Sequence, residues 1–207
     1  MTGERMNFDS AIVTIQQHLV RYVWALKWCV GKRVLDAGCG AGYGTWLLAH
    51  VAQEAIGIDC AAEAVAKAQE RYGAGVKAFR EHRIEDIGTQ RLFDTVVCLE
   101  VLEHLDDMEV GLAKLLELTA PDGTLLLSVP VRQGLNAWHH GRDYSVADWD
   151  ALMAGRGASQ IRFYQPCGGE VASFSNCDIQ YRTTSTETAD GYSLYAVRKG
   201  APPCATP

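Results

Sequence analysis

The chain has 207 residues, 48% of them hydrophobic and 21% charged, which is enough for one domain with a sizeable core and too apolar for disorder. Its net charge of −6 excludes a broad, sequence-independent grip on phosphate backbones, which needs clustered Lys and Arg. Its seven cysteines, at 29, 39, 60, 98, 167, 177 and 204, are odd in number and form no CxxC pair; with no leader pattern and no apolar run near ~20 residues, we expect reduced thiols in a cytoplasmic protein.

In chain order, Asp9 to Cys29 reads as an amphipathic helix. Ile12, Ile15, Leu19, Val23 and Leu26 recur at spacings of three and four, the stripe by which such a helix packs. Gly31 stops it. Arg33 to Ala37 is a short apolar strand, followed by a glycine loop and a helix over Thr45 to Val51. A second strand, Glu54 to Ile58, is closed by Asp59. Ala61 to Tyr72 reads as a helix, Val76 to Phe79 as a weak strand, and Phe93 to Leu99 as a fourth. Asp106 opens the next helix, with Glu109 placed as in a capping box. Pro121-Asp122-Gly123 is a turn, and Thr124 to Val129 a fifth strand.

Strand and helix in alternation predict a mostly parallel sheet with helices on both faces, and ligands beyond the carboxyl ends of its strands. After Pro130 the pattern changes. Ser145 to Met153 reads as a helix capped by Ser145, and Ile161 to Tyr164 and Ser193 to Val197 as two late strands. The polar stretch Gly168 to Gly191 between them is long enough to be functional or mobile. We expect one domain over 1–207, with residues 1–30 as a helical cap and 201–207 as a disordered tail.

The loop Asp36-Ala37-Gly38-Cys39-Gly40-Ala41-Gly42-Tyr43-Gly44 joins a strand to a helix. A dinucleotide fingerprint needs G-x-G-x-x-G or G-x-G-x-x-A. The sixth position is Tyr43 counted from Gly38, and Thr45 counted from Gly40, so neither frame fits. What fits is acid-x-G-x-G-x-G, with the acid at the strand end. Asp59 closes the next strand, where a carboxylate can accept two ribose hydroxyls.

Val34-Leu35-Asp36-Ala37-Gly38-Cys39-Gly40 together with Asp59 resembles the first motif of the class I S-adenosylmethionine (SAM)-dependent methyltransferases. Phe93 to Leu105 resembles their fourth-strand motif and Ala120 to Pro130 their fifth. The resemblance covers roughly residues 15 to 153. It implies an α/β, doubly wound, seven-stranded, mostly parallel sheet of the Rossmann-like methyltransferase type, with a C-terminal antiparallel hairpin. It also implies SAM as cofactor. Asp36 would hold the amino group, directly or through water, and loop N–H groups at Gly38, Cys39 and Gly40 the carboxylate. Asp59 and Cys60 would sit at the ribose, Ile84 and Glu85 at the adenine, and Leu99 and Glu100 beside the cofactor. Arg83 stands where many relatives carry an adenine-binding Asp. His18-Leu19-Val20-Arg21-Tyr22 would either bring Tyr22 over the methionine end of SAM or form a capping helix with Arg and Tyr at its surface.

Glu100, Glu103 and His104 follow the fourth strand. On a helix, positions i, i+3 and i+4 share a face. Two carboxylates and an imidazole would then converge, with His140 as a further member. The pattern resembles two metal-using branches, the small-RNA 2′-O-methyltransferases and the ubiquinone-biosynthesis O-methyltransferases, and implies a divalent Mg or Mn on Glu100, Glu103, His104 and His140. Two other readings stay open: His104, with Glu103 and His140, acting on substrate without metal, or a structural cluster. Trp138 and Arg142 are candidate substrate contacts, and Asp94 a structural acid.

The expected reaction is methyl transfer to a small-molecule hydroxyl, on a sugar or another hydroxylated metabolite. No Asn-Pro-Pro-Tyr-type amino-group motif follows the fourth strand. The charge balance disfavours nucleic acid, and the lack of a basic amphipathic membrane helix disfavours lipid-like quinone precursors. The alternatives are a non-catalytic SAM-binding subunit and a metal-using RNA-terminal or quinone-precursor O-methyltransferase. A nicotinamide-dependent oxidoreductase is disfavoured by the glycine spacing.

Overall fold

Short apolar runs alternate with helical segments, and each run becomes a strand. The computed structural model describes residues 12–131, 145–153, 158–166, 180–182 and 191–199. Helix α1 (Ile12–Cys29) leads into β1 (Arg33–Ala37), α2 (Tyr43–Ala49), β2 (Glu54–Asp59), α3 (Ala62–Tyr72) and β3 (Ala78–Glu81). A 3-10 turn at Ile84–Asp86 precedes β4 (Phe93–Leu99), and another at Leu102–His104 precedes α4 (Met108–Leu118). Then come β5 (Thr119–Val131), α5 (Val146–Met153), β6 (Ala158–Pro166), β7 (Gln180–Arg182) and β8 (Gly191–Lys199).

These strands form one sheet in the order β3-β2-β1-β4-β5-β8-β6-β7. The first five are parallel; β8 runs antiparallel to both β5 and β6, and β7 antiparallel to β6. From β1 the chain winds outward to β2 and β3, then crosses to β4 on the other side. The crevice at that reversal, between the ends of β1 and β4, is where an open α/β sheet takes its ligand. The sequence suggested seven strands ending in a hairpin. The late strands β6 and β8 are antiparallel, but β8 inserts between β5 and β6, and the eighth strand, β7, takes the edge. Three residues are too few to show a period-two pattern inside a polar stretch.

Alternation along the strands builds two cores. Leu35, Val96, Cys98, Leu125 and Leu127 point to one face, where Leu112, Leu115 and Leu118 of α4 and Trp149 of α5 cover them. Val34, Val97, Leu99 and Leu126 point to the other, under Tyr22, Ala25 and Cys29 of α1 and Leu48 of α2. Trp149 is fully buried, and its indole N–H donates to the Pro130 carbonyl at 3.0 Å.

Three local expectations change. The α4 cap is Asp107, not Asp106: Asp107 Oδ1 accepts from the Glu109 and Val110 N–H groups at 2.9 and 3.1 Å. The Pro121-Asp122-Gly123 turn forms as a bulge inside β5, with Asp122 at φ 60, where the register against β4 jumps from Thr119 opposite Phe93 to Thr124 opposite Thr95. The third change is in α1. Of its expected packing stripe, Leu19 and Val23 face outward, 41% and 53% exposed, while Leu26 packs against the core. The buried line is Gln17, Arg21, Ala25 and Cys29 at four-residue intervals, with Tyr22 beside it. Ala25 and Cys29 join the apolar core, and Gln17 and Arg21 are buried near the carboxyl ends of the strands, where polar partners are present. Ser145 caps α5 as expected: its Oγ accepts from Asp148 N–H at 3.2 Å and donates back to Asp148 Oδ2 at 2.6 Å.

Candidate functional site

The glycine loop after β1 is fastened to the end of β2. The N–H groups of Gly38 and Cys39 both donate to the Ile58 carbonyl at 2.8 Å. Gly38 has φ 80, and a Cβ there would run into the Val101 side chain, so this side of the loop is packed against protein. Gly40, at φ 50, is different: a Cβ would meet nothing within 4 Å. The loop therefore borders open space at Gly40, as a backbone approached by a ligand must.

Two carboxylates flank the loop. Asp59 ends β2 and is 8% exposed. Its Oδ2 accepts from Gly40 N–H and its Oδ1 from Ala61 N–H, both at 2.9 Å. These bonds aim the carboxylate along the open edge of the loop and leave lone pairs for further donors. Asp36 is fully buried. Thr45 Oγ1 donates to its Oδ2 at 2.6 Å, and the Tyr22 hydroxyl lies 3.2 and 3.3 Å from its two oxygens. Burial lifts this carboxyl to about 7, against the opposing pull of the two hydroxyl donors. Asp36 thus fastens α1 and α2 to the end of β1, and a direct contact with a ligand ammonium has no exposed oxygen to use. The Tyr22 ring lies against Gly44, which leaves no room there for a Cβ. Of the two readings of the leading helix, the surface one is set aside, since Arg21 and Tyr22 are 0% and 5% exposed.

The acid–histidine cluster does not form the expected helical face. Glu100 takes a left-handed φ of 58, and Leu102–His104 is a single 3-10 turn, so the i, i+3, i+4 register is lost. Glu103 is buried and His104 exposed. Glu100 N–H donates to the Ser128 carbonyl at 3.0 Å, and its Oε1 accepts from Ser128 Oγ at 2.7 Å. Arg21, from α1, is fully buried and stacks over the Tyr192 ring at 4.0 Å. Burial raises the Glu100 carboxyl, opposed first by the Arg21 charge. Burial raises Glu103 well above the usual carboxylate range, reinforced by the Glu100 charge. Glu103 Oε2 is buried with no hydrogen-bond partner among the described residues. As metal donors these groups do not fit: one carboxylate is satisfied by a serine, burial pushes the second toward its neutral form, and the imidazole faces solvent. Among the described residues no three His, Cys, Asp or Glu side chains are grouped to hold an ion. His140, Trp138 and Arg142 lie outside the described residues.

On the far side of the loop, Ile84 is 5% exposed and Leu99, at the end of β4, also 5%. Glu85 is half-buried and Cys60 exposed. Arg83 turns outward, 3.5 Å from Glu85 and 3.4 Å from Asp106. Asp94 takes the structural role expected of it: it accepts from Arg33 N–H at 2.9 Å and pairs with the guanidinium at 3.3 Å, which holds its carboxyl below the usual range. The described cysteines, Cys29, Cys39, Cys60 and Cys98, are free thiols.

Sequence reasoning missed Thr45, Ser128 and Tyr192. Thr45 left a signal: it is a polar residue on the inner side of an apolar helical turn, nine positions after Asp36. Tyr192 left none, because its link to Arg21 joins distant parts of the chain.

The methyltransferase-domain family model matches residues 17–163. A protein described as a probable SAM-dependent methyltransferase, from Mycolicibacterium smegmatis, is 34% identical over 135 residues, which is 64% of this chain and 52% of that protein. A ubiquinone biosynthesis O-methyltransferase from Xanthomonas euvesicatoria is 34% identical over 113 residues, 53% of this chain and 47% of that protein. The chain spans about half the length of the curated relatives it matches. Among solved structures, the N-methyltransferase NodS from Bradyrhizobium japonicum, in complex with S-adenosylhomocysteine (SAH), superposes with TM-score 0.70 at 20% identity, covering 93% of this chain and 90% of that one. Magnesium protoporphyrin IX methyltransferase from Synechocystis, with bound SAM, gives 0.63 at 21% identity, covering 94% and 87%. At those identities the likeness is one of fold.

Proposed function

The chain belongs to the class I SAM-dependent methyltransferases, and from that premise we propose that it methylates an oxygen of a small hydroxylated molecule. The observation that carries the reading is the open space over Gly40, bounded by the Asp59 carboxylate. Asp59 would accept the ribose hydroxyls, Ile84 and Leu99 would enclose the adenine with Glu85 at its edge, and loop N–H groups would hold the methionine carboxylate. Asp36 and Tyr22 act on that end from beneath, by fixing the loop and the helix above it.

SAM, when bound, supplies a methyl on a sulfonium; the acceptor oxygen forms a bond to that carbon as the carbon–sulfur bond breaks, leaving SAH and a methyl ether. The chain's part is alignment and removal of the hydroxyl proton. Glu103 is buried, and that burial favours its neutral form over the carboxylate a base needs. His104 is exposed on the same turn, and we assign it the proton. Oxygen as acceptor atom is supported by the named activity of the O-methyltransferase relatives. A sugar or comparable hydroxylated metabolite remains the preferred class.

Calorimetric titration with SAH, followed by labelled SAM with a panel of hydroxylated acceptors, tests this. Absence of SAH binding sinks it. His104→Gln is expected to lower turnover about a hundredfold or more with SAH affinity intact; unchanged turnover would move the base elsewhere.

A further inference from the structure

We propose that the ammonium at the methionine end of SAM is held by the Glu100 carboxylate, anchored by Ser128, and not by the acid of the glycine-loop motif. That acid, Asp36, is fully buried, and both its oxygens lie against hydroxyls, Thr45 Oγ1 at 2.6 Å and the Tyr22 hydroxyl at 3.2 and 3.3 Å. An ammonium carries three donors and must touch its acceptors, and Asp36 offers no exposed surface to touch. Glu100 is the reverse case. It is half-buried, Ser128 Oγ donates to its Oε1 at 2.7 Å, and among the described residues no donor is bonded to Oε2.

The fold puts Glu100 beside the loop. Strands β1 and β4 pair in parallel with Asp36 opposite Val97, so Glu100 stands just beyond the end of β4, at the crevice where the two strands part. The side chain of the next residue, Val101, fills the place that a Cβ on Gly38 would take. Glu100 itself is turned to φ 58, a left-handed backbone that a residue with a side chain keeps only under constraint. The constraint is Ser128: its carbonyl accepts from Glu100 N–H at 3.0 Å while its hydroxyl holds Oε1, so one serine fixes both the backbone and the tip of the side chain. Burial raises the Glu100 carboxyl, and the Arg21 charge and the Ser128 hydroxyl act against that rise, in favour of the anion. The neighbouring acid does not compete, since Glu103 is buried and pushed toward its neutral form. With the ribose at Asp59 on the β2 side of the loop, the opposite end of the cofactor meets the β4 side, where this carboxylate is. The assignment rests on SAM as cofactor and not on which acceptor is methylated.

The test uses the full chain and two ligands in calorimetry: SAH, and the analogue of SAH in which hydrogen replaces the α-amino group. Wild type is expected to prefer SAH by about 10–100-fold, the value of one hydrogen bond between charged groups. Glu100→Gln keeps the shape and an oxygen for Ser128 but loses the charge; with its melting temperature unchanged, it should bind the two ligands within about threefold of each other. Ser128→Ala leaves the carboxylate but frees it, and should weaken SAH binding several-fold with the analogue unaffected. Asp36→Asn should keep the preference for SAH, because Asp36 acts from beneath. A Glu100→Gln variant that prefers SAH by the wild-type ratio overturns the proposal, whether or not it also raises the KM of the acceptor. An equal loss for both ligands in Ser128→Ala, or a preference abolished in Asp36→Asn, overturns it too. Wild-type binding of SAH with no preference over the analogue ends this assignment and leaves the proposed reaction standing; no binding of SAH at all ends both.

Discussion

A buried carboxyl such as Asp36 makes stability a function of pH. Its folded value is raised from 3.8 to about 7 by burial. A raised folded value means that the favourable contribution is complete below about 4 and is lost as pH rises through about 7. Asp36→Asn removes that loss. In the absence of cofactor, the variant is expected to be more stable than wild type at pH 8, by about 1–4 kcal/mol in chemical denaturation, with the gap shrinking as pH falls and closing below about pH 4. A constant gap across that range would show that Asp36 does not titrate there. Asp59 is held by backbone N–H groups at the open edge of the glycine loop. Asp59→Ala should weaken SAH binding about 10–100-fold in calorimetry, the value of two lost hydroxyl contacts. Asp36, Gly38, Gly40 and Asp59 were legible in the sequence because strand ends and glycine spacing are local properties. Arg21 was visible as a residue but not as a buried one, because what stabilises it, Tyr192 and the two glutamates, arrives from strands that only the fold brings near.

At the level of elements, the sequence failed where it assumed regularity. Glu100, Glu103 and His104 make a helical face only if the segment is an α-helix, and one left-handed residue, Glu100, removes that premise. The α1 stripe failed for another reason. Periodicity marks which residues share a side of a helix; it does not say which side faces in, and here Tyr22, Ala25 and Cys29 face the core while Leu19 and Val23 face out. The glycine loop, by contrast, is constrained from both sides. Gly38 combines φ 80 with the Val101 side chain where a Cβ would lie. Gly38→Ala should therefore cost about 2 kcal/mol or more in chemical denaturation, and Val101→Ala in the same chain should return part of it. No recovery would mean that backbone strain alone sets the cost.

For the whole molecule, the parallel half was legible from strand–helix alternation, since each crossover is local. Of the antiparallel half, the two late strands and their antiparallel pairing were expected, but the placing of β8 beside β5 and the edge strand β7 were not, because the position of β8 depends on pairing across distant sequence. It lies between β5 and β6, with pairing from Thr124 opposite Arg198 to Val131 opposite Gly191 on one edge and from Ala158 to Pro166 on the other. Ending the chain at residue 190 would strip ladder partners from both neighbours. Such a chain is expected to aggregate, while one ending at residue 199 should remain monomeric and bind SAH. A monomeric, SAH-binding chain of the shorter form would show that the parallel half folds alone.

The packing of α1 also decides what light the protein emits. Of its five tryptophans, Trp24 and Trp28 are half-buried on α1 and Trp46 is 39% exposed on α2, while Trp149 is sealed in the opposite core. Among the described residues three indoles thus stand in the helical layer beside the glycine loop, and one stands in the opposite core. Emission from the native chain is weighted toward the working side of the molecule, with its own internal reference, so an unlabelled sample carries an optical gauge of what α1 touches.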